Sequence, residues 1–179
     1  MFRMLAAAVA AAVLAAPAMA QAQAQGQAQD RAHPHAIFES DRIQVRVDGD
    51  MDGRDIILIP GLSSSPEIWQ GTVDHLTAQD GAGWRVHRIQ VNGFAGAPAG
   101  ANAQTGPAPT PVAAPAAEEI ARYIREQGLS RPAVVGHSMG GTIGLMLAAR
   151  HPDQVGRLMV VDMIPFMLSL IHISEPTRR

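Results

Sequence analysis

Short apolar runs and amphipathic stretches alternate along the middle of the chain. Residues 42–47 alternate polar and apolar side chains, a pattern that predicts a half-buried strand at an antiparallel edge of a sheet. Residues 55–59 are nearly all apolar and end at Pro60-Gly61, which predicts a central parallel strand covered on both faces. The strands predicted from such patterns, the last of them buried, cover residues 42–47, 55–59, 84–91, 133–135 and 158–161.

Stretches with apolar residues at helical spacing separate these strands. They predict helices over residues 66–79 and 116–127, and an apolar stretch ended by His151-Pro152 predicts a third helix over residues 139–150. In the second helix Ile120, Tyr123 and Ile124 share one face, and Gly128 ends it. Residues 92–115 are rich in Gly, Ala and Pro and predict a long loop. Strands and helices in this order predict an α/β fold with a mostly parallel sheet and helices on both faces.

The N-terminus has the features of a secretory signal peptide, which we assign to residues 1–20. Arg3 precedes an apolar run over residues 4–16, and residues 18–20 form a small-x-small cleavage site. The run is shorter than the roughly 20 residues needed to span a bilayer, so we expect no stable membrane anchor. Cleavage near Ala20 predicts an exported protein, either periplasmic or secreted.

The composition of the residues after the predicted signal peptide excludes several kinds of function. Residues 21–36 alternate Gln and Ala at first and predict a flexible leader, followed by one domain over residues 37–167. A net charge of -2 gives no strong field to attract nucleic acid, and the absence of Cys excludes thiolate metal ligands. The histidine spacing predicts no metal site, and we expect His75, His87 and His151 to be ordinary exposed residues.

One pentapeptide carries the strongest chemical signal. Gly136-His137-Ser138-Met139-Gly140 matches the G-x-S-x-G nucleophile elbow and lies between a predicted strand and a predicted helix. Because the turn forces the serine into a strained conformation, small residues are needed two positions before and after it. The motif predicts Ser138 as a catalytic nucleophile, with Gly136 and Gly140 as the elbow glycines. The alternative is a chance Gly-Ser-Gly turn.

Residues 43–166 resemble the first half of an α/β-hydrolase, and Gly-His-Ser-Met-Gly-Gly is the most specific feature of the resemblance. The resemblance implies the α/β-hydrolase fold and acyl-transfer chemistry. It also implies that the backbone N–H groups of Leu62 and Met139 form the oxyanion hole. Pro60 stands where many members of the family have a histidine, which leaves the backbone role of this loop intact.

A serine nucleophile needs a histidine base and a carboxylate that orients the base. The resemblance implies the order serine, acid, histidine, with the acid and the histidine beyond this chain. Asp162 lies where a minority of relatives carry the acid, but a structural role is the main expectation there. His137 is expected to be a structural residue of the elbow, because adjacent side chains on so sharp a turn point apart.

The C-terminal tail has a separate peculiarity. Residues 168–178 resemble the conceptual translation of a transposon-end adapter used in sequencing libraries. We therefore expect residues 168–179 to be non-native, the genomic reading frame to diverge near Met167 or Leu168, and His172 to have no catalytic part. Such a truncation leaves the strand over residues 158–161 without its next neighbour, and an exposed apolar edge predicts poor solubility.

Taken together, these features predict an exported serine hydrolase that acts on a small-molecule ester or similar acyl compound through a Ser138 acyl-enzyme. No cofactor is implied, and the truncated chain is expected to be inactive. The alternatives are perhydrolase or carbon–carbon hydrolase chemistry, and a non-catalytic binding protein of the same fold. Residues 92–96 are expected either to approach the nucleophile or to form a plain connection, without a catalytic role. The sequence does not indicate an oligomeric state.

Overall fold

The computed structural model describes residues 36–78, 83–107 and 111–163, which form one mixed sheet packed against helices. Its six strands in this part of the chain are β1 (Ala36–Glu39), β2 (Ile43–Gly49), β3 (Arg54–Ile59), β4 (Trp84–Val91), β5 (Ala133–His137) and β6 (Arg157–Val161). They lie in the order β1-β2-β4-β3-β5-β6. Every strand predicted from the sequence is present, and the prediction over residues 84–91 matches β4 at both ends.

Strand directions divide the sheet into an antiparallel side and a parallel side. β2 pairs antiparallel with β1 and with β4, whereas β3 pairs parallel with both β4 and β5. The predicted central parallel strand is therefore confirmed. The predicted edge position of residues 42–47 is wrong, because β1 pairs with the outer side of β2. The four residues of β1 are too few to show a clear alternation in the sequence.

Three helices connect the strands: α1 (Gln70–Thr77), α2 (Ala113–Glu126) and α3 (Met139–Arg150). A 3₁₀ turn over Pro66–Trp69 precedes α1, so the helix predicted from residue 66 begins as a tighter turn. The predicted loop contains a second 3₁₀ turn, Gly100–Asn102, and its last residues belong to α2. None of the helices within the described ranges is both long and apolar enough to cross a membrane.

Alternate residues of β3 contribute to two separate apolar clusters. Ile56 and Leu58 pack with Trp69 on the side of the sheet that α1 covers. Ile57 and Ile59 pack on the opposite side, in the cluster that includes the buried residues of α2 and α3. Successive side chains of a strand point to opposite faces, so both faces of β3 are buried. This confirms the prediction of a sheet with helices on both faces.

β6 is the outermost strand on the parallel side of the described sheet. The prediction that it is buried is wrong, since Met159 is 61% exposed and Val161 is 36% exposed. Its other face packs against α3, where a side chain added at Gly144 would lie 2.9 Å from Leu158 Cδ1. Within the described residues, β6 is thus covered on one face only.

β4 contains a buried histidine that the sequence pattern did not reveal. The prediction that His87 is exposed is wrong, because its side chain is only 1% exposed. β4 lies between β2 and β3, and every residue from Val86 to Val91 is buried. His75 on α1 is exposed, as predicted, and His151 is partly exposed.

Candidate active site

Ser138 occupies the single position between β5 and α3. Its backbone has φ 52° and ψ −118°, in the positive-φ region that residues with a side chain rarely adopt. The Ser138 N–H donates to Val161 O at 2.9 Å, and its carbonyl accepts from Gly141 N at 2.9 Å. These bonds to β6 and to the first turn of α3 hold the strained conformation in place. The Ser138 side chain makes no capping hydrogen bond to the helix.

Steric contacts explain why the residues two positions before and after Ser138 are glycine. A Cβ atom added at Gly136 would lie 2.6 Å from the backbone nitrogen of Gly141. At Gly140 an added Cβ would lie 2.6 Å from the carbonyl oxygen of Pro60. Both separations are far below ordinary van der Waals contact, and both involve backbone atoms that cannot rotate away. The tight turn therefore depends on the absence of side chains at these two positions.

The loop after β3 packs directly against the turn. A Cβ added at Gly61 would lie 3.3 Å from Ser138 Cβ and 2.9 Å from His137 Nδ1. Leu62 follows with an exposed side chain, and Ser63 has a positive φ of 56°. Ser64 N donates to Gly61 O at 3.2 Å, which closes the loop into a turn. The loop that contains Leu62 thus lies next to the residue between β5 and α3.

The sequence analysis predicts the backbone N–H groups of Leu62 and Met139 as oxyanion donors. Leu62 N donates to no backbone acceptor among the described residues, and neither does Met139 N. Met139 is the first residue of α3, where backbone N–H groups have no partner in the preceding turn. The N-terminus of α3, which is the positive end of the helix dipole, lies next to Ser138. Near Ser138 there are thus two N–H groups without a described backbone acceptor, one of them at the positive end of a helix dipole.

His137 and Asp162 lie beside the turn but make only a loose pair. Their closest atoms, His137 Nε2 and Asp162 Oδ2, are 3.7 Å apart, and the Asp162 side chain is 88% exposed. His137 Nδ1 is buried and has no hydrogen-bond partner among the described residues. Asp162 has a positive φ of 49° at the residue that follows β6. The structure therefore brings both residues near Ser138, without a short hydrogen bond between them.

Residues 92–96 contact the connection between β1 and β2. Their approach to the nucleophile stays a prediction. Asn92 Nδ2 donates to Ser40 O at 3.0 Å, which ties the turn to the connection between β1 and β2. Asn102, which the sequence analysis did not identify, is buried and donates to the carbonyl oxygens of Arg42 and Asn92. An Asn in a Gly- and Ala-rich loop gives no pattern that would single it out, since its partners are distant in sequence.

No group of three or more His, Cys, Asp or Glu side chains that could hold a metal ion occurs in the described ranges. Ser138 presents a hydroxyl at the start of α3, and the loop after β3 packs against it. In general, an oxyanion formed on an acyl group is stabilised by N–H donors that are already in place around it.

Several known proteins are similar to this chain. The family model described as "alpha/beta hydrolase fold" matches residues 56–176. A curated relative, the pimeloyl-[acyl-carrier protein] methyl ester esterase of Vibrio atlanticus (strain LGP32), is 32% identical over 126 residues, which cover 70% of this chain and 42% of the relative. The chain thus spans about two fifths of the length of the curated relatives it matches.

Solved structures of hydrolases are also similar to this chain. An esterase from a marine microorganism is 26% identical, with a TM-score of 0.54, and the match covers 68% of this chain and 41% of that one. A carboxylesterase structure from Nitrososphaera gargenis is 22% identical, with a TM-score of 0.58, and the match covers 75% of this chain and 48% of that one. At that identity the second likeness concerns the fold alone.

Proposed function

The chain belongs to the α/β-hydrolase fold family, and from this premise we propose that Ser138 is the nucleophile of a serine hydrolase that cleaves small-molecule acyl compounds. The observation that carries the proposal is the strained backbone of Ser138 at the turn between β5 and α3. Strain of this kind costs about 1 to 3 kcal/mol and persists where the surrounding structure enforces it, most often at functional sites. Ser138 is partly exposed on this turn, as attack on an incoming carbonyl group requires.

In the proposed reaction, Ser138 Oγ attacks the carbonyl carbon of the substrate and its proton passes to a histidine base. The carbonyl oxygen becomes an oxyanion, which accepts hydrogen bonds from the backbone N–H groups of Leu62 and Met139. Collapse of this intermediate expels the alcohol, which takes the proton from the histidine, and water then hydrolyses the acyl-enzyme. Each oxyanion donor is worth about 3 kcal/mol of transition-state stabilisation.

We propose that the base and its carboxylate come from a segment that follows β6 in the intact protein. His137 is poorly suited to act as the base. Its Nδ1 is buried close to Gly61, and its Nε2 faces the exposed Asp162. A structural role for His137, as a support for the loop of Leu62, is consistent with both contacts.

An ester is the substrate class that we favour. The named relatives include a methyl ester esterase and a marine esterase, which supports ester hydrolysis as the reaction of the intact protein. Perhydrolase or carbon–carbon hydrolase chemistry would use the same turn with a different pocket. A non-catalytic binding protein is disfavoured, because binding alone gives no reason to retain a strained serine. Export through a signal peptide over residues 1–20 remains part of the proposal, with Gln21 as the first mature residue.

The test is hydrolysis of a p-nitrophenyl ester by the intact protein and two serine variants. Ser138→Ala should lower kcat by about 10⁴-fold or more, because no acyl-enzyme can form. The matched control is Ser130→Ala, which removes an exposed serine that precedes the amino end of β5 and should leave kcat within about twofold. Full activity in Ser138→Ala would refute the assignment of the nucleophile.

A further inference from the structure

A pocket of about 440 Å³ opens where β3, β5 and β6 begin. Ser138 follows the carboxyl end of β5, so the pocket lies at the opposite end of the sheet. Arg54, Arg131 and Arg157 all line it, and all three are exposed. We refer to this site as the arginine pocket.

The register of the sheet explains why three arginines meet there. Ile56 of β3 lies opposite Ala133 of β5. Arg54 of β3 and Arg131, in the segment before β5, each precede these residues by two positions, so both lie at the end of the sheet where these strands begin. Arg157 of β6 lies opposite Ala133 from the other side. Each of three separate segments of the chain thus places one guanidinium group at the same end of the sheet.

The positive charge of the arginine pocket is not neutralised within the described residues. Arg54, Arg131 and Arg157 form no ion pair with a described carboxylate, whereas four other arginines do so at 3.1 Å or less. The one described acidic residue that lines the pocket is Asp55. Asp55 Oδ1 already accepts from Arg85 Nε at 2.6 Å, so its charge is largely offset.

Arg54 has an ordered side chain, and Arg131 lies on a locally fixed backbone. The Arg54 guanidinium lies over the Trp84 ring, 4.2 Å from its centroid. Arg131 has a positive φ of 50°, a strained conformation for a residue with a side chain. The segment after it is held by a hydrogen bond of 3.0 Å from Gly156 N to Pro132 O. Side chains that are ordered in advance lose less entropy when they bind a ligand.

We propose that the arginine pocket binds a soluble small-molecule oxyanion with two or more negative charges, such as a phosphate or diphosphate group. A guanidinium group offers two parallel N–H donors to the oxygens of a phosphate, and it stays charged at every physiological pH. Three such groups around a concave site match a ligand of high charge density. The site is remote from Ser138 and does not depend on the proposed acyl-transfer function.

The test is isothermal titration calorimetry of the intact protein with pyrophosphate at constant ionic strength. We expect saturable binding with a Kd below about 1 mM. The double variant Arg131→Ala/Arg157→Ala should weaken binding by at least about tenfold, and Arg131→Lys/Arg157→Lys should lie between the two, because lysine keeps the charge and loses the fork geometry. Since both side chains are exposed, the fold should survive, which circular dichroism would verify.

The matched control is Arg46→Ala, which removes one positive charge from β2, outside the pocket. Binding should be unchanged within about twofold in this control. Absence of saturable heat, or an equal loss in Arg46→Ala, would overturn the proposal. Co-sedimentation with vesicles that contain phosphatidic acid, without competition by pyrophosphate, would overturn the assignment of a soluble ligand.

Discussion

The Ser138 turn and the cluster around His87 are both polar features of an apolar sheet, but different forces hold them. Ser138 depends on backbone geometry, and the glycines beside it leave room for the turn. His87 depends on side-chain hydrogen bonds that join β3, β4 and α2. The first feature stores strain, whereas the second is fully satisfied.

The distances within the cluster define its hydrogen bonds. His87 Nδ1 lies 2.6 Å from the Tyr123 hydroxyl, and His87 Nε2 lies 3.0 Å from Asp55 Oδ1. Burial lowers the pKa of His87 and raises the pKa of Tyr123, so the imidazole is neutral and the phenol protonated at neutral pH. In that state Tyr123 donates to Nδ1 while Nε2–H donates to Asp55. Each nitrogen of the imidazole ring therefore has a partner.

Asp55 connects this cluster to the surface. Burial alone would raise the pKa of Asp55, but the hydrogen bonds from Arg85 and His87 outweigh burial and hold that pKa below its ordinary value. The carboxylate therefore stays charged and anchors His87. The comparison indicates that the turn that carries the proposed chemistry depends on a strained backbone, while the buried polar cluster stabilises the sheet through side-chain hydrogen bonds.

The largest expected effect on stability comes from Gly140→Ala. Alanine normally favours a helix over glycine by about 1 kcal/mol, but here the added Cβ collides with the backbone after β3. We expect the free energy of unfolding to fall by about 3 kcal/mol, measured by urea denaturation. Gly71→Ala is the control, because a Cβ at Gly71 in α1 meets no atom within 4 Å and should be neutral or stabilising. Equal effects would show that the turn is not sterically tight.

Tyr123→Phe should have the next largest effect. It removes the hydroxyl next to His87 Nδ1 and keeps the edge-to-face contact with Phe38, whose centroid lies 5.0 Å away. A buried nitrogen left without a partner should lower the free energy of unfolding by about 1 to 2 kcal/mol. Thr77→Val, which removes a hydroxyl that bonds back to Val73 O within α1, is the control and should change stability by less than about 0.5 kcal/mol. A neutral Tyr123→Phe would argue against the cluster as a stabilising unit.

The His87 cluster also predicts how stability depends on pH. Because burial lowers the folded-state pKa of His87 below 6.5, the unfolded chain takes up a proton that the folded chain does not. The stabilisation is therefore complete above pH 6.5 and is lost as the pH falls toward the folded pKa. The slope for this one group cannot exceed about 1.4 kcal/mol per pH unit. The lowered pKa of Asp55 has the same consequence below pH 3.8, where its contribution to stability is lost as the pH falls.

Urea denaturation between about pH 7 and about pH 5 measures this slope. His87→Gln should flatten it, because the group that takes up the proton is gone. An undiminished slope in His87→Gln would assign the pH dependence to other groups.

Ser138→Gly should have the smallest effect on stability, and the opposite sign. Glycine adopts a positive φ without steric conflict, so the variant should gain about 1 kcal/mol in the free energy of unfolding while the proposed activity is lost. Thermal denaturation and ester hydrolysis on the same preparation would show both changes. A less stable Ser138→Gly would mean that the turn is not strained.

Local patterns predicted much of the fold. Residues 84–91 and 139–150 match β4 and α3 at both ends, because a strand pattern and an apolar stretch ended by His151-Pro152 can be identified without reference to the rest of the chain. The strand–turn–helix context of Ser138 was predictable for the same reason. The short strand β1, the one-sided burial of β6 and the interior position of His87 depend on which strands become neighbours. That information lies in contacts between distant residues, such as His87 with Tyr123, and a periodic pattern does not contain it.

Peptide mapping by mass spectrometry, after treatment of the intact protein with a fluorophosphonate, tests the central claim most directly. Such a reagent forms a covalent bond with a serine that is activated by a base and faces an oxyanion hole. The account predicts one adduct, on the peptide that contains Ser138, and no adduct in Ser138→Ala. An adduct on a different serine, or an unmodified Ser138 in a protein that hydrolyses esters, would contradict it.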